Sequence, residues 1–279
     1  MRGREHAPRD GHVTSGLVDA WASGDAYERY MGRWSRPVAA QFVEWLARRR
    51  GASWLDVGCG TGALSETILE RASPGRVVGV DLSFDYLKVA KRRLTSAGVR
   101  FIVTRAQQLP FPAEAFDAVV SGLALNFVPT PGAVVSEMRR AARKGAVVAV
   151  YLWDYAEAMQ LIRYFWDAAV ALDKDAATMD EGQRFPLCSP DPLEALFRES
   201  GLDDVDTRPI EVPTPFTDFD DYWLPFLGAQ GPAPGYAMTL SEERRGRLRE
   251  TIRHALPVAK DGSIALTARA WAVRGTKPR

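Results

Sequence analysis

The chain has 279 residues, of which 46% are hydrophobic and 25% charged, a composition typical of a globular protein long enough for one large core with insertions. Lys and Arg total 36 against 35 for Asp and Glu, so no net charge attracts nucleic acid or an anionic membrane. The composition therefore predicts a small molecule as the partner and argues against nucleic acid. It leaves the oligomeric state open between a monomer and a homodimer.

The sequence lacks the signals that would direct it into or across a membrane. No apolar run approaches the roughly 20 residues that span a bilayer, and the N-terminus has no apolar signal-peptide core. We expect a cytoplasmic protein without a membrane span. Two cysteines, Cys59 and Cys188, are too few for a disulfide framework, and His254 is the one histidine beyond the polar first residues. We therefore expect free thiols and no metal site.

The first segments of the chain differ sharply in pattern. Residues 1–24 are rich in Arg, Gly, Asp and Ser without periodicity, which predicts a flexible leader. Residues 25–279 are expected to form one domain. Its first part, residues 25–50, predicts a helical cover, because Val38 and Phe42 begin a series of apolar side chains at helical spacing.

Residues 51–152 alternate between apolar β-type runs and amphipathic helical runs. Alternation of this kind predicts a parallel sheet with helices on both faces, whose ligand lies beyond the carboxyl ends of the strands. The predicted elements are strand 53–57, helix 61–72, strand 76–81, helix 83–97, strand 99–104, strand 116–121, helix 131–143 and strand 145–152.

The carboxyl-terminal half is less regular. Residues 153–189 predict a helical insertion, residues 205–212 a strand, and residues 263–274 the final strand. Residues 213–262 lie between these strands and are far longer than a hairpin needs. Their aromatic side chains predict either a lid over an apolar substrate or a packed helical cap: Phe216, Phe219, Tyr222, Trp223 and Phe226.

A glycine-rich turn follows the first predicted strand. Gly58, Gly60 and Gly62 allow a ligand to approach bare backbone, and their spacing also fits a relaxed dinucleotide-binding fingerprint. Asp81 ends the second strand at a position where a carboxylate can hold a ribose, whether or not the ligand is a dinucleotide. Asp56 argues against a dinucleotide, because a buried anion inside the first strand needs donors or a cation, and NAD offers no positive group there.

The stretch Leu55–Gly62 closely resembles the first motif of class I S-adenosylmethionine-dependent methyltransferases. Residues 106–112, 116–121 and 128–146 resemble later segments of that family in the same order. The resemblance implies a Rossmann-like, doubly wound α/β sheet of seven strands, with the last strand antiparallel between the fifth and sixth, plus a helical and aromatic cap insertion. It implies S-adenosyl-L-methionine as the cofactor and S-adenosyl-L-homocysteine as the product.

The resemblance also implies a set of cofactor-binding residues. Arg105 stands where relatives carry an acidic or amide residue, so adenine recognition is assigned to the Ala106 backbone and the Gln107 side chain. For the aromatic and basic residues of the cover, simple packing remains an alternative. The full set is Tyr27, Tyr30, Arg33, Arg36, Asp56, Gly58, Cys59, Gly60, Gly62, Asp81, Leu82, Ala106, Gln107 and Gly122.

No catalytic base is assigned. Many relatives carry a histidine where this chain has Asn126, which can orient a substrate but cannot accept its proton. Tyr222, Trp223 and Asp154 are further candidates for positioning the acceptor, and a capping or structural hydrogen-bonding role is an alternative for Asp154. The predicted reaction is methyl transfer by in-line displacement to a small aromatic or lipophilic acceptor, as in the quinone-biosynthesis and small-molecule branch of the family. The alternatives are a non-catalytic S-adenosylmethionine-binding protein and a nicotinamide-dependent dehydrogenase.

Overall fold

A computed structural model describes residues 28–95, 98–228 and 231–279, so the predicted leader and Tyr27 lie outside the described residues. Seven strands form one sheet in the order β3-β2-β1-β4-β5-β7-β6. The strands are β1 Ser53–Val57, β2 Arg76–Asp81, β3 Val99–Val103, β4 Phe116–Gly122, β5 Ala142–Trp153, β6 Asp203–Phe216 and β7 Ile264–Thr276.

The strand directions confirm the predicted fold class. Strands β1 to β5 pair in parallel, while β7 runs antiparallel between β5 and β6. All five residues of β1 are buried, as expected for a central strand covered by helices on both faces. The strand order reverses between β1 and β4, which opens a crevice at their carboxyl ends.

Helices lie along the chain between these strands. A short π-helical turn, Glu28–Gly32, leads directly into α1, and 3-10 turns occupy Leu125–Phe127, Lys174–Met179 and Leu224–Gly228. The α-helices are α1 Arg33–Leu46, α2 Ala63–Arg71, α3 Phe84–Arg93, α4 Pro131–Ala141, α5 Gln160–Leu172, α6 Glu181–Arg184, α7 Pro190–Glu199, α8 Phe219–Trp223, α9 Pro232–Thr239 and α10 Glu242–Ala255.

Helix α1 covers one face of the sheet, as the apolar spacing predicts. It buries Val38, Phe42 and Leu46 completely, and the Phe42 ring centroid lies 4.7 Å from that of Tyr151 in β5. Pro37 lies inside α1, and the helix nevertheless continues to Leu46.

Strand β6 is longer than its pattern predicts. It continues to Phe216, paired with Ile264 of β7, whereas the expected strand ends at residue 212. Pro213 and Pro215 lie within β6, which is an edge strand, where proline is tolerated because one side of the backbone needs no ladder hydrogen bond. The connection to β7 therefore begins four residues later than expected.

The aromatic residues of this connection point into the protein. Tyr222 and Phe226 are completely buried, and the Phe226 ring stacks on Phe165 of α5 at 4.7 Å and meets the edge of Tyr30 at 5.5 Å. Trp223 is 3% exposed and stacks on Phe219. The segment is thus a packed cap in this structure. None of the described helices is long and apolar enough to cross a membrane.

Candidate functional site

A cavity of about 510 Å³ lies at the carboxyl ends of β1, β2 and β4, at the reversal in strand order. The structure brings together there the side chains and backbone of several loops that are distant in sequence. The walls include Ser35, Asp56, Tyr86 and Tyr151, together with residues 58–61, 80–83, 104–107, 122–124 and 127–129.

The glycine turn presents open backbone to this cavity. Gly60 has φ +52°, and a Cβ atom added there would meet no atom closer than 4.0 Å, because that side of the residue faces open space. Gly58 also lines the cavity, but an added Cβ would come 2.7 Å from the Cβ of Ala124. Glycine is therefore required at residue 60 for access and at residue 58 for packing.

Two members of the motif have other surroundings. Gly62, with φ +88°, lies outside the cavity lining, and a side chain there would press on Ala90 and Leu94 beside α3. This packing accounts for glycine at residue 62, and its contact with the cofactor stays a prediction. Cys59 lines the cavity and donates its backbone N–H to the Val80 carbonyl at 3.0 Å, while burial raises the pKa of its thiol well above the usual range.

Asp56 is completely buried in the cavity wall. Its Oδ2 accepts a hydrogen bond from the Ser65 hydroxyl at 2.7 Å, but Oδ1 has no partner among the described residues. Burial raises the pKa of this carboxyl to about 7, with the nearby charge of Asp81 adding to the effect. A buried carboxylate oxygen without a donor is a strong site for a cationic or hydrogen-bond-donating ligand group.

Asp81 joins two segments of the site. Its Oδ2 accepts from the Gly60 N–H at 2.9 Å, and its Oδ1 accepts from the Ser83 N–H at 2.8 Å. Burial raises the pKa of Asp81 despite these bonds. The helix α3 is capped by Ser83, whose hydroxyl accepts from the Tyr86 N–H, so capping does not occupy Asp81. Each carboxylate oxygen keeps a lone pair for a ligand hydroxyl.

The opposite wall comes from the ends of β3 and β4. Ala106 and Gln107 line the cavity as predicted, and so does Arg105. Leu82 and Gly122 also lie in the wall. An added Cβ at Gly122 would come 2.5 Å from the Tyr151 hydroxyl, because these two residues are paired in the sheet register.

Sequence reasoning missed several lining residues. Tyr151 could have been inferred from the pairing of Gly122 across β4 and β5, and Tyr86 from its place one turn after the Ser83 cap. Leu123 has φ +58°, a left-handed conformation that non-glycine residues adopt at a cost of about 1–3 kcal/mol. Its strain has no signal in the sequence.

Three residues of the cover that are predicted to contact the cofactor lie outside the cavity lining: Tyr30, Arg33 and Arg36. Tyr30 is 3% exposed and lies outside the cavity lining, with its hydroxyl buried and without a hydrogen-bond partner among the described residues. Arg36 donates to Glu66 at 3.0 Å and to the Gly32 carbonyl. From this helix it is Ser35, not a predicted residue, that reaches the cavity.

Arg33 also lies outside the cavity lining. Its Nη1 donates to Asp221 at 2.8 Å, and its guanidinium carbon lies over the rings of Trp34 and Phe216, 4.4 Å and 4.7 Å from their centroids. The competing interpretation, packing of aromatic and basic side chains, describes Tyr30, Arg33 and Arg36 in this structure. The cover is thereby attached to the aromatic cap.

Among the residues predicted to position the acceptor, Asn126 is the one whose sequence neighbours line the cavity. It stands between Ala124 and Phe127, which both line the cavity, and its amide nitrogen is buried without a partner among the described residues. Tyr222 donates its hydroxyl to the Leu161 carbonyl at 2.8 Å, and Trp223 packs within the cap. Neither lines the cavity, because both side chains complete the aromatic core.

Asp154 is a structural residue in this arrangement. Its carboxylate is paired with Arg269 at 2.6 Å, accepts from the Trp271 indole at 3.2 Å and caps the Glu157 N–H at 3.0 Å. It is absent from the cavity lining. These bonds give Asp154 a structural role between β7 and the turn after β5, and its role in positioning an acceptor stays a prediction.

Comparison with known proteins agrees with this geometry. Residues 55–150 match the sequence profile of a family described as methyltransferase domain. A demethylmenaquinone methyltransferase of Geobacillus stearothermophilus is 29% identical over 213 residues, which cover 70% of this chain and 87% of that protein. Its counterpart in Symbiobacterium thermophilum is 30% identical over 208 residues, covering 65% and 81%. The chain belongs to the class I S-adenosylmethionine-dependent methyltransferases.

A solved structure supports the fold of this methyltransferase. The phosphoethanolamine N-methyltransferase 2 of Haemonchus contortus, in complex with S-adenosyl-L-methionine, superposes with a TM-score of 0.59 at 18% identity, covering 92% of this chain and 57% of that one. Membership of the family, as shown by the sequence relatives, makes the chain an S-adenosylmethionine-dependent enzyme. The alternative of a nicotinamide-dependent dehydrogenase is left without support.

Proposed function

We propose that the cavity binds S-adenosyl-L-methionine with its cationic methionine end against Asp56. The observation that carries this proposal is the buried Oδ1 of Asp56, which lies in the cavity wall without a partner among the described residues. A ligand with an ammonium and a sulfonium supplies the positive charge that this oxygen lacks. The cavity volume of about 510 Å³ is within the range of sites for ligands of this size.

The remaining contacts follow from the same placement. Asp81 would accept hydrogen bonds from the two ribose hydroxyls with the lone pairs that Gly60 and Ser83 leave free. The loop of Ala106 and Gln107 would hold the adenine, with Leu82 against one side of the ring. Gly60 would let the ligand approach the backbone.

When bound, the cofactor supplies an electrophilic methyl group whose in-line transfer releases a neutral thioether. The task of this chain is to fix the orientation of both reactants and to keep water out, and such positioning can account for about 7–11 kcal/mol of a barrier. Ser35 and Tyr151 close the cavity from the side of α1 and β5. Asp56 would keep the methionine end from moving.

We infer that the acceptor is a small lipophilic aromatic molecule. The wall formed by Leu123, Phe127, Val128 and Pro129 is apolar, and the curated relatives are named for demethylmenaquinone. Asn126 would donate its unpartnered amide N–H to an acceptor oxygen. The aromatic rings of the cap are not assigned to acceptor binding, because they pack against one another and against α5.

The proposal has two separable tests. Calorimetry should show binding of S-adenosylmethionine and S-adenosylhomocysteine but not of NAD; no binding of the first two overturns the cofactor site. Methyl transfer from labelled cofactor should then be measured with reduced demethylmenaquinone, with a simple phenol and an amine as comparisons. Cofactor binding without any transfer to the quinol would overturn the acceptor assignment and leave the cofactor assignment intact.

We also propose that the reaction takes place in the cytoplasm. Cys59 and Cys188 are both free and buried, as is common in proteins of reducing compartments. Cell fractionation with a tagged full-length chain checks this location. Recovery from an extracytoplasmic fraction would contradict it.

A further inference from the structure

The outer side of helix α3 carries an unbalanced positive charge. Phe84, Lys88, Lys91 and Arg92 are all exposed, and their spacing places them on one side of the helix. The acidic residue on this surface, Asp85, is paired with Lys88 at 2.5 Å. Lys91 and Arg92 have no acidic partner among the described residues, so two cations are left uncompensated in a chain whose net charge is only +1.

Large apolar side chains are exposed beside these cations. Leu82 is 62% exposed, Phe84 63% and Val103 50%. Val103 pairs with Asp81 in the sheet register, so it lies at the carboxyl ends of β2 and β3, next to Leu82. The Lys88 ammonium lies 5.2 Å from the Phe84 ring centroid. We call these residues the mouth face: Leu82, Phe84, Lys88, Lys91, Arg92 and Val103.

The mouth face adjoins the opening of the cavity. Leu82 belongs both to this face and to the cavity wall, and Arg105, which is also exposed, lines the cavity two residues after Val103. The dipole of α3 favours cations in its last turn, which accounts in part for Lys91 and Arg92. It does not account for Phe84 and Leu82, which stay exposed to water at the other end of the helix.

We propose that the mouth face docks on an anionic lipid bilayer. Exposed cations beside the protruding side chains of Phe84 and Val103 are the combination that binds the headgroup region, where cations meet anionic lipids and apolar side chains enter the acyl boundary. The near-zero net charge of the whole chain does not oppose this, because attraction acts within about a Debye length of roughly 8–10 Å. The docked protein would present its cavity opening to the membrane surface. The proposal stands independently of the acceptor.

The experiment is co-sedimentation of the full-length protein with vesicles of phosphatidylcholine, with and without phosphatidylglycerol, at low and high salt. We expect binding to the phosphatidylglycerol vesicles that weakens at high salt. A double variant, Lys91→Glu with Arg92→Glu, should weaken binding at least about 25-fold, because each cation near an anionic surface strengthens binding roughly fivefold. Phe84→Ser should weaken it about fivefold through lost apolar burial.

Matched controls lie elsewhere on the surface. Lys144→Glu with Arg247→Glu makes the same change in net charge at two exposed cations far along the chain from α3. Leu224→Ser removes an apolar side chain of similar exposure, 59%. These controls should bind vesicles like the parent protein, and all variants should bind S-adenosylmethionine equally well by calorimetry, which shows that they are folded.

Three results would overturn the proposal. The first is no binding to phosphatidylglycerol vesicles at low salt. The second is equal weakening by the charge control and by the α3 double variant, since binding would then follow net charge. The third is a salt-sensitive complex with a single-stranded RNA, or with an acidic protein, that competes the vesicles away at lower concentration. Loss of cofactor binding in the parent protein would instead count against the proposed function.

Discussion

A buried carboxylate on the cofactor side of the sheet and one beside the carboxyl-terminal cap have opposite surroundings. Around β1 and β2, Asp56 keeps a buried oxygen without a described partner, and Gly60 faces open space. In the cap region, Asp154 is paired with Arg269, and Tyr222 donates to a carbonyl. The carboxylate oxygen without a donor marks where a ligand is expected, and the paired carboxylate marks where the chain binds itself.

The largest effect is expected from Asp56→Asn on the stability of the apo protein. Folding raises the pKa of Asp56 from 3.8 to about 7, so the folded state binds the proton more tightly. The resulting stability is present below about pH 4 and is lost as pH rises to about 7, at a cost on the order of 4 kcal/mol. The Asn variant avoids this loss and should unfold at higher urea concentration than wild type at about pH 8.

The same variant should bind the cofactor about 50-fold more weakly, since it loses the charge that faces the methionine end. Calorimetry at several pH values checks this. Wild-type affinity should fall as pH drops below about 7, and the variant should lack that dependence. Stabilisation without weaker binding would separate Asp56 from the ligand and undo the comparison between the two regions.

Asp154→Ala should lower the free energy of unfolding by about 3 kcal/mol, because it removes a carboxylate that is 3% exposed and leaves the exposed Glu157 as the partner of Arg269. Urea unfolding measures this change. Asp206→Ala is the control: its partner is Arg274 in an exposed pair, and the loss should stay below about 1 kcal/mol. Cofactor affinity should not change in either variant. A lower affinity in Asp154→Ala would restore this residue to the site.

Substitutions at two glycines should separate an effect on stability from an effect on cofactor binding. Gly58→Ala forces a contact of 2.7 Å with Ala124 and should destabilise the fold by about 2 kcal/mol. Gly60→Ala has room for its methyl group but fills part of the cavity, so it should weaken cofactor binding about tenfold, with roughly 1 kcal/mol of backbone strain. Thermal unfolding and calorimetry on both variants give the contrast. Equal effects in both assays would contradict it.

The smallest effect is expected from Tyr222→Phe, which removes one buried hydrogen bond to the Leu161 carbonyl. Stability should fall by about 1 kcal/mol, and the rate of methyl transfer should stay unchanged. Steady-state kinetics with the acceptor identified by screening provide the check. A fall in kcat with unaltered stability would place the Tyr222 hydroxyl near the reaction after all.

The sequence was enough to predict those parts of the fold and of the site that depend on residues close together along the chain. Asp56, the glycines and Asp81 fall within short segments whose order alone predicts the sheet, and the strands of residues 53–122 match closely. Arg33 was harder, because its partner Asp221 is 188 residues away and nothing near Arg33 indicates it. The burial of Tyr222 likewise depends on α5. The net charge of the chain did not indicate the mouth face, because acidic residues elsewhere cancel its cations.

The hydrogen bonds of Asp81 have a consequence for binding thermodynamics. One carboxylate holds the Gly60 amide and the Ser83 amide at 2.9 Å and 2.8 Å, so two loops that approach the same ligand are already fixed relative to each other. The conformational entropy of these loops is lost during folding, so it does not reduce the free energy of ligand binding. The site is preorganised, and cofactor binding should show little entropic penalty from this part of the chain.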